Sequence, residues 1–320
     1  MSLRVAVQMD PLESINISGD STFAIMLGAQ ARGYSLYHYL ADDLTYQEGR
    51  LYAGAHEVSV QPVSGDHFRL GAFKILDLGR DVDVVLMRQD PPFDLGYITA
   101  THLLERIQDE TLVVNDPAAV RNAPEKVWVL DFARFMPPTM ITRSLGAARK
   151  FAEEHGEVVV KPLHGNAGKA VFKVGRDGAN LAPLMELFNA TYREPHVVQA
   201  FLPEVAEGDK RIVLIEGEIA GAINRRPKSG DIRSNLAAGG TAEASELTDS
   251  EREICAALSP ELKRRGLLFV GIDVIGGRWL TEINVTSPTG IVAIDKFNGT
   301  DTPGLIWDAI EARLDRRRSA

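Results

Sequence analysis

The sequence contains a single cysteine, and it has neither a signal-peptide pattern nor a long apolar run. Cys255 cannot form an internal disulfide, and because no residues typical of a thiol nucleophile surround it, we interpret it as a packing residue of a helix. A membrane-spanning helix needs about 18 consecutive apolar residues, and a secretory signal needs a basic segment before an apolar one. Since the sequence has neither, it predicts a cytoplasmic protein with no membrane partner.

An excess of positive charge is also missing. Lysine and arginine number 35 against 44 aspartates and glutamates, which gives a net charge of −9. This balance argues against a general nucleic-acid binder and favours small-molecule partners. The 320 residues, 45% of them hydrophobic and 25% charged, have the composition of a globular protein and are enough for two or three subdomains.

Short apolar runs alternate with helical patterns over the first 122 residues. Strands are predicted at 3–7, 36–40, 82–87 and 112–115, and helices at 21–33 and 97–107. Alternation of this kind is typical of an open, mostly parallel α/β sheet. We therefore predict an N-terminal α/β domain over residues 1–122.

Two α+β units are predicted after this domain, at 123–203 and 204–320. The first has predicted helices at 123–134, 145–155 and 181–189, and strands at 158–162, 170–174 and 197–200. The second has strands at 211–215 and 218–224 and a long polar loop at 227–244. Thr248 and Glu251 form a capping box, which predicts the start of a helix that reaches Gly266.

The segment from Val270 to Gly290, V-G-I-D-V-I-G-G-R-W-L-T-E-I-N-V-T-S-P-T-G, resembles two strands joined by Gly276 and Gly277. A glycine pair tolerates the positive φ angles of a two-residue hairpin turn. That turn predicts three facing pairs, namely Ile275 with Arg278, Asp273 with Leu280, and Gly271 with Glu282.

The predicted hairpin brings Asp273, Glu282 and Asn284 to one side, because cross-strand partners and residues two apart share a face. The other side carries apolar and β-branched residues, which are Val270, Ile272, Val274, Thr281, Ile283 and Val285. Two carboxylates and an amide supply the hard oxygen ligands that Mg²⁺ prefers, often together with substrate phosphates. The pattern predicts a magnesium and nucleotide site; a solvated polar face without an ion is the alternative.

Lys161 ends a Val-Val-Val run and precedes a loop that contains Gly165, Asn166 and Gly168. An ammonium at a strand edge can reach phosphate oxygens, and small residues let backbone N–H groups approach them. Lys126 begins a predicted helix and can approach a phosphate or a purine. Taken alone, an ordinary hairpin loop and a surface lysine would explain these residues without a ligand.

A connector follows the predicted strand at 197–200. Its residues Gln199, Ala200, Phe201 and Leu202 precede a proline. The backbone of such a connector can pair with the edge of an adenine ring, although a simple linker has the same appearance.

Basic residues crowd the segment that ends in Asn235-Leu-Ala-Ala-Gly239-Gly240. They are Arg225, Arg226, Lys228 and Arg233, with Arg211 one strand away. In an acidic protein this density predicts a site for carboxylates and phosphates, which guanidinium groups bind bidentately; a solvated loop is the alternative. The paired glycines indicate a loop that moves or that lets a ligand approach the backbone. Arg88 lies just past a predicted strand, where open α/β sheets bind ligands.

Together these motifs resemble those of bacterial glutathione synthetases of the ATP-grasp superfamily, in the same order and over the whole chain. They are M-R-Q-D-P-P-F-D, V-N-D-P, R-N-A-P-E-K, V-V-K-P-L, E-G-D-K-R, S-N-L-A-A-G-G and T-E-I-N-V-T-S-P-T-G. The resemblance implies an ATP-grasp fold, in which a substrate domain is followed by two lobes that clasp ATP. It also implies a ligase that joins γ-glutamylcysteine to glycine with ATP and Mg²⁺, and a homotetramer or dimer.

The resemblance further implies roles for individual residues. The nucleotide would be bound by Lys126, Lys161, Gly165, Asn166, Gly168, Gln199, Ala200, Phe201, Leu202 and Asp209, and Mg²⁺ by Asp273, Glu282 and Asn284. The peptide would be bound by Arg88, Arg233, Ser287, Pro288, Thr289 and Gly290. Charge that develops during the reaction would be neutralised by Arg211 and Arg225, under a closing loop with Asn235, Gly239 and Gly240.

The chain departs from the family pattern in two places. The small-residue loop commonly reads G-x-G-G, whereas here Gly165-Asn-Ala167-Gly is followed by Lys169. If Ala167 needs a positive φ angle, its Cβ costs about 1 kcal/mol, and Lys169 adds a charge that either touches phosphate or lies in water. Arg226 stands where an apolar residue is common.

The implied chemistry needs no nucleophile from the protein. The cysteinyl carboxylate would attack the γ-phosphate of ATP, and the amine of glycine would then displace phosphate from the acyl phosphate. Two other interpretations stay open. One is a ligase for another γ-glutamyl or amino-acid pair, and the other is an inactive paralogue that binds nucleotide or a thiol peptide.

Overall fold

The computed structural model describes residues 2–166 and 168–319, without the side chain of Ala237. Three β-sheets follow one another along the chain, and helices accompany each of them. The prediction that a strained Ala167 alters its loop lies outside the described residues. None of the helices in these ranges is both long and apolar enough to span a bilayer.

The first sheet is parallel only in part. Its strands are β1 (Arg4–Gln8), β2 (Ser35–Tyr39), β3 (Leu44–Gln47), β4 (Arg50–Val60), β5 (Phe68–Asp77), β6 (Val84–Met87) and β7 (Leu112–Val114). The pairs β1–β2, β1–β6 and β6–β7 are parallel, as the alternating pattern predicted. Strands β3, β4 and β5 add an antiparallel extension that the pattern did not predict.

Three α-helices belong to the described residues of this part of the chain, α1 (Ser21–Ala31), α2 (Leu95–Glu105) and α3 (Pro117–Arg121). Helix α1 begins where the sequence predicts it, and Asp20 caps it, since the Asp20 carboxylate accepts a hydrogen bond from the backbone N–H of Phe23. The helix predicted at 123–134 is wrong. A 3-10 helix, Trp128–Phe135, forms instead and is interrupted at Phe132, which has φ −112° and ψ 32°.

The second sheet, with its helices, forms a unit that we call the small lobe, residues 139–200. Its strands are β8 (Thr139–Thr142), β9 (Val158–Pro162), β10 (Phe172–Val174) and β11 (His196–Ala200), and its helices are α4 (Leu145–His155) and α5 (Leu181–Thr191). All strand pairs are antiparallel. The small lobe has a core of its own, which includes Phe151, Met185 and Phe188.

The third sheet is also antiparallel and has five strands. They are β12 (Asp209–Ile215), β13 (Glu218–Arg226), β14 (Thr241–Ala244), β15 (Phe269–Ile275) and β16 (Trp279–Asn284), accompanied by helices α6 (Asp249–Arg265), α7 (Ile291–Asn298) and α8 (Thr302–Ser319). The capping box of Thr248 and Glu251 is confirmed, and helix α6 ends at Gly266, whose φ is 71°.

The first and third sheets share one hydrophobic core. Val85 and Val113 of the first sheet belong to the same buried cluster as Ile272 and Ile283 of the third. Asn115 links the sheets by hydrogen bonds: its amide nitrogen donates to Phe269 O (2.7 Å) and Val285 O (2.9 Å), and its amide oxygen accepts from Phe269 N (2.8 Å). These two sheets therefore form one packed body beside the small lobe.

Candidate functional site

A cavity of about 620 Å³ is lined by residues that follow or belong to all three sheets. Most predicted site residues line it, namely Lys126, Lys161, Gly165, Asn166, Gly168, Gln199, Ala200, Phe201, Leu202, Asp209, Arg211, Arg225, Arg233, Asn235, Asp273, Glu282, Asn284, Ser287, Thr289 and Gly290. Four predicted residues are not part of its wall: Arg88, Pro288, Gly239 and Gly240. A cavity of this size is typical of a small-molecule site.

The predicted register of the β15–β16 hairpin is wrong, but the predicted face is right. Ile275 pairs with Trp279, so the turn has three residues instead of two, and a bulge at Thr281 then shifts the pairing. Asp273 consequently faces Glu282, and Gly271 faces Asn284. The longer turn and the bulge each shift the pairing by one residue. Because side chains alternate with a period of two, a total shift of two leaves Asp273, Glu282 and Asn284 on the predicted face.

The bulge exchanges two neighbouring residues between the faces of this hairpin. Leu280, predicted on the metal side, pairs with Val274 and lies in the hydrophobic core. Thr281, predicted in the core, lines the cavity and donates a hydrogen bond to the backbone oxygen of Asp273 at 3.1 Å. The room left by Gly271 is filled by Arg211, since a Cβ there would lie 3.1 Å from the Arg211 Nη1 atom.

Asp273 is the centre of a buried ionic network and is only 3% exposed. Its carboxylate accepts hydrogen bonds from Arg211 Nε (2.6 Å) and Nη2 (3.1 Å), and Arg225 Nη2 lies 3.0 Å from its Oδ1. Burial alone would raise the pKa of Asp273, but the two guanidinium groups outweigh it and hold the pKa well below its usual range. The group is therefore a carboxylate at neutral pH.

Glu282 is paired with both predicted phosphate-binding lysines. Its Oε1 lies 3.2 Å from Lys161 Nζ and 3.4 Å from Lys126 Nζ. Burial opposes the charge of Glu282, but the two ammonium groups lower its pKa. Lys126 also donates a hydrogen bond to Gly165 O at 2.6 Å, which joins the start of the second unit to the small-residue loop.

The residues of the predicted metal site fit a hard cation. Both carboxylates are ionised, and they line one cavity together with the side-chain amide of Asn284. Within the described ranges, no group of three or more acidic, histidine or cysteine side chains is arranged to hold a metal ion. The candidate donor set contains only two acids, so its third ligand would be the amide oxygen of Asn284.

Asp209 is the first residue of β12, and its carboxylate joins Arg225 to Ser234 at the cavity wall. Its Oδ2 accepts hydrogen bonds from Arg225 Nη2 (2.7 Å) and Ser234 Oγ (2.9 Å), and its Oδ1 is buried without a partner. Burial raises the pKa of Asp209 to about 6, against the opposing charge of Arg225. Ser234 was not among the predicted site residues, although it lies within the S-N-L-A-A-G-G motif.

The segment between β13 and β14, residues 227–240, is here called the arm. Asn235 of the arm meets the small-residue loop, since a Cβ on Gly168 would lie 2.7 Å from Asn235 Oδ1. Arg233 lines the cavity, but its guanidinium is bound to Asp231 within the arm at 2.7 Å. Gly240 packs so closely that a Cβ on it would collide with the Ser234 carbonyl.

Arg88 and Arg226, two basic residues singled out in the sequence, do not line the cavity. Arg88 is buried, donates to Pro288 O at 2.8 Å and Thr22 Oγ1 at 3.0 Å, and so braces the 287–290 segment from behind. Arg226 is exposed and pairs with Glu243 (3.0 Å) and Glu207 (3.3 Å). In this structure both head groups contact protein atoms.

The predicted adenine connector is partly engaged within the small lobe. The backbone N–H groups of Ala200 and Phe201 donate to Pro138 O and Glu157 O, both at 2.9 Å. The Gln199 side chain donates to Thr139 Oγ1 at 2.7 Å. A nucleotide contact by these residues would therefore use their carbonyl oxygens, the Phe201 ring or Leu202.

The first domain contributes acidic residues to the cavity that were not among the predicted site residues. They are Asp10, Asp20 and Asp90, joined by Glu125 and the polar Asn16 and Thr286. Asp10 and Asp90 follow the parallel strands β1 and β6 closely, at the strand ends where open sheets bind ligands. Arg88 was predicted from this same position after a strand, so the position also marks Asp10 and Asp90 as candidates. Lys169 also lines the cavity and is exposed.

Comparison with known proteins gives consistent similarities. Residues 3–121 match the family model described as the prokaryotic glutathione synthetase N-terminal domain, and residues 125–299 match that of the prokaryotic glutathione synthetase ATP-grasp domain. The glutathione synthetase of Rhodopseudomonas palustris is 56% identical over 313 residues, covering 98% of this chain and 99% of the relative. The glutathione synthetase of Agrobacterium fabrum is 53% identical over 311 residues, covering 97% of each.

Solved structures with similar folds are more distant in sequence. The crystal structure of the D-cycloserine synthetase DcsG aligns with a TM-score of 0.70 at 18% identity, covering 97% of this chain and 99% of that chain. The ATP-grasp ligase PsnB aligns with a TM-score of 0.62 at 21% identity, covering 98% of both chains. At this identity the alignments indicate the fold alone.

Proposed function

The chain belongs to the prokaryotic glutathione synthetase family, and we propose from that premise how its residues form an amide bond. The protein is an ATP-grasp carbon–nitrogen ligase that carries out ATP-dependent glutathione synthesis. The observation that carries this conclusion is 56% identity over 98% of the chain. We infer that the cavity joins the carboxylate of γ-glutamylcysteine to the amine of glycine.

Amide formation from a free carboxylate needs activation of the acid. The cysteinyl carboxylate attacks the γ-phosphorus of ATP, ADP leaves, and an acyl phosphate forms. The amine of glycine then attacks the acyl carbon, phosphate leaves, and the amine gives up a proton. The protein supplies alignment and charge neutralisation, which is consistent with a Cys255 that is buried and takes no part.

We assign Lys126 and Lys161 to the phosphates of the nucleotide. Both residues are buried, at 6% and 7% exposure, and both ammonium groups lie within 3.4 Å of Glu282. Asp273, Glu282 and Asn284 would hold Mg²⁺, and the ion when bound would offset charge on the phosphate oxygens. The lysines would then contact phosphate and carboxylate together.

We assign Arg211 and Arg225 to neutralising the charge that develops on the transferred phosphoryl group. Both are buried, both are held by Asp273, and both line the cavity. Such fixed donors need little rearrangement during the reaction. The 287–290 segment, braced by Arg88, would orient the peptide beside them, and the arm with Asn235, Gly239 and Gly240 would close over the acyl phosphate.

Product analysis tests the substrate pair. The purified protein is incubated with ATP, Mg²⁺, γ-glutamylcysteine and, in parallel reactions, glycine, alanine, serine or β-alanine, and each amide is quantified by mass spectrometry. Glutathione is expected as the main product, with one ADP for each amide. A preference for another acceptor would identify a different ligase, and ADP release without any amide would contradict ligase activity.

We also propose that the enzyme is a homo-oligomer, as the family resemblance implies. Light scattering coupled to gel filtration tests this independently of activity. A mass near 70 or 140 kDa is expected, roughly two or four times the 35.0 kDa chain. A mass equal to one chain at micromolar concentration would contradict the proposal.

A further inference from the structure

Ser234 is buried inside an otherwise accessible arm. Its side chain lies in the cavity wall and the residue is 3% exposed, whereas Arg233 and Asn235 on either side are half-buried. A hydroxyl group removed from water in a loop needs a hydrogen-bond partner to offset its lost hydration. The partner of Ser234 therefore determines where the arm is held.

That partner is Asp209, at the start of β12. Ser234 Oγ donates to Asp209 Oδ2 at 2.9 Å. Among the described residues, the other hydrogen bonds made by the arm stay within it: the side chain of Arg233 binds Asp231, and the backbone N–H groups of residues 231, 238, 239 and 240 donate to arm carbonyls. The Ser234 hydroxyl is thus the hydrogen-bond tether between the arm and the rest of the described protein.

The tether ends in the reactive part of the cavity. The Asp209 oxygen that accepts from Ser234 also accepts from Arg225 Nη2, which lies 3.0 Å from Asp273. One residue further along the arm, Asn235 meets Gly168 of the small-residue loop. The tether therefore fixes the arm where it lies between the nucleotide loop and the two arginines that we assign to charge neutralisation.

We propose that Ser234 is a positioning residue, whose hydrogen bond to Asp209 holds the arm closed so that the acyl phosphate reacts with glycine and not with water. This inference rests on the proposed function, because only an activated acid needs such protection. Water attack on the acyl phosphate returns γ-glutamylcysteine and releases phosphate without an amide. The tether should therefore determine the yield of amide per ATP more than the binding of ATP.

Ser234→Ala tests the proposal against Ser229→Ala, a matched control in the same arm whose side chain is exposed. Phosphate and glutathione are quantified in the same reaction, and cleavage of the arm by trypsin is timed with a non-hydrolysable ATP analogue, Mg²⁺ and γ-glutamylcysteine present. Because a hydrogen bond to a charged group shifts a local equilibrium by roughly tenfold or more, Ser234→Ala should be cleaved about tenfold faster. It should also release at least two phosphates per glutathione, while Ser229→Ala stays near one.

The proposal is overturned if Ser234→Ala keeps one phosphate per glutathione and the cleavage rate of the unaltered protein. Ser234→Thr retains the hydroxyl and should restore both values, which a purely steric role would not predict. If Ser234→Ala does not fold, Ser234→Cys, a weak donor of similar size, should shift both readouts in the same direction, and no shift would refute the tether. An unaltered protein that makes no glutathione would count against the proposed function, while the cleavage rates would still decide on the tether.

Discussion

Replacing Asp273 with asparagine would remove the charge that two buried arginines share. Arg211 and Arg225 contact this carboxylate at 2.6–3.1 Å, and all three side chains are at most 7% exposed. Removing one partner of a buried ion pair costs about 3–5 kcal/mol. Asparagine can still accept one hydrogen bond, so we expect the lower end, about 3 kcal/mol of unfolding free energy.

This loss should be visible as a fall in the melting temperature. For a chain of this size, about 2 °C per kcal/mol predicts a fall of about 6 °C. Turnover should fall by roughly a hundredfold or more, because the same change removes a proposed metal ligand and releases Arg211. The measurements are a thermal unfolding scan at fixed rate and glutathione formation at saturating substrates.

The stability lost in Asp273→Asn should depend on pH in a defined direction. The pKa of Asp273 is lower in the folded protein than its ordinary value, so its contribution to stability is present above about pH 4 and is lost as the pH falls below that value. The difference between the proteins should persist from pH 5 to 8 and shrink below about pH 4. Asp315→Asn, an exposed pair with Arg318, is the control and should change stability by under about 1 kcal/mol. An Asp273→Asn protein with unchanged melting temperature and near-normal turnover would refute the reasoning.

Three further predictions concern the nucleotide loop, the phosphate site and the thiol. Gly168→Ala should raise the KM for ATP several-fold, because the new Cβ would lie 2.7 Å from Asn235 Oδ1. The control Gly230→Ala has a similar φ and no atom within 4 Å of the new Cβ, so it should lose only about 1 kcal/mol of stability. Equal KM values for the two variants would contradict this prediction. Lys161→Met should raise the KM for ATP at least tenfold in steady-state kinetics, and an unchanged value would remove Lys161 from the phosphate site. Burial raises the pKa of the Cys255 thiol to about 12, so the thiol stays protonated below that pH and should not react with a thiol reagent at pH 8 until the protein unfolds; rapid labelling of the native protein would contradict its burial.

The face of the metal hairpin was predictable because alternation between apolar and polar residues determines it. Its register was not predictable, since a bulge at Thr281 has no compositional signature and the glycine pair fits turns of two or three residues. The partners of Asp273 also could not be found from local sequence. Arg211 faces Asp273 across β12 and β15, 62 residues apart along the chain, and only the folded sheet brings them together.

The β4–β5 hairpin shows a different limit of sequence analysis. Leu51, Ala53 and Ala55 of β4 alternate as buried residues, a pattern that predicts a half-buried strand and was overlooked. The buried face of β5 could not be predicted in this way, because its apolar residues Phe73 and Ile75 are 59% and 71% exposed. An exposed strand with apolar side chains breaks the rule that links hydrophobicity to burial.

The separate core of the small lobe has a mechanical consequence. The chain enters and leaves this lobe through two short proline-containing stretches, 136–138 and 201–203, while the other two sheets are joined by a continuous interior and by Asn115. A hinge rotation at these stretches would widen the mouth of the cavity without disturbing the hydrophobic core of the small lobe or the core shared by the other two sheets. The ion pair between Lys161 and Glu282 links the small lobe to the third sheet. We therefore expect this ion pair to break when nucleotide enters the cavity and to form again once nucleotide is bound.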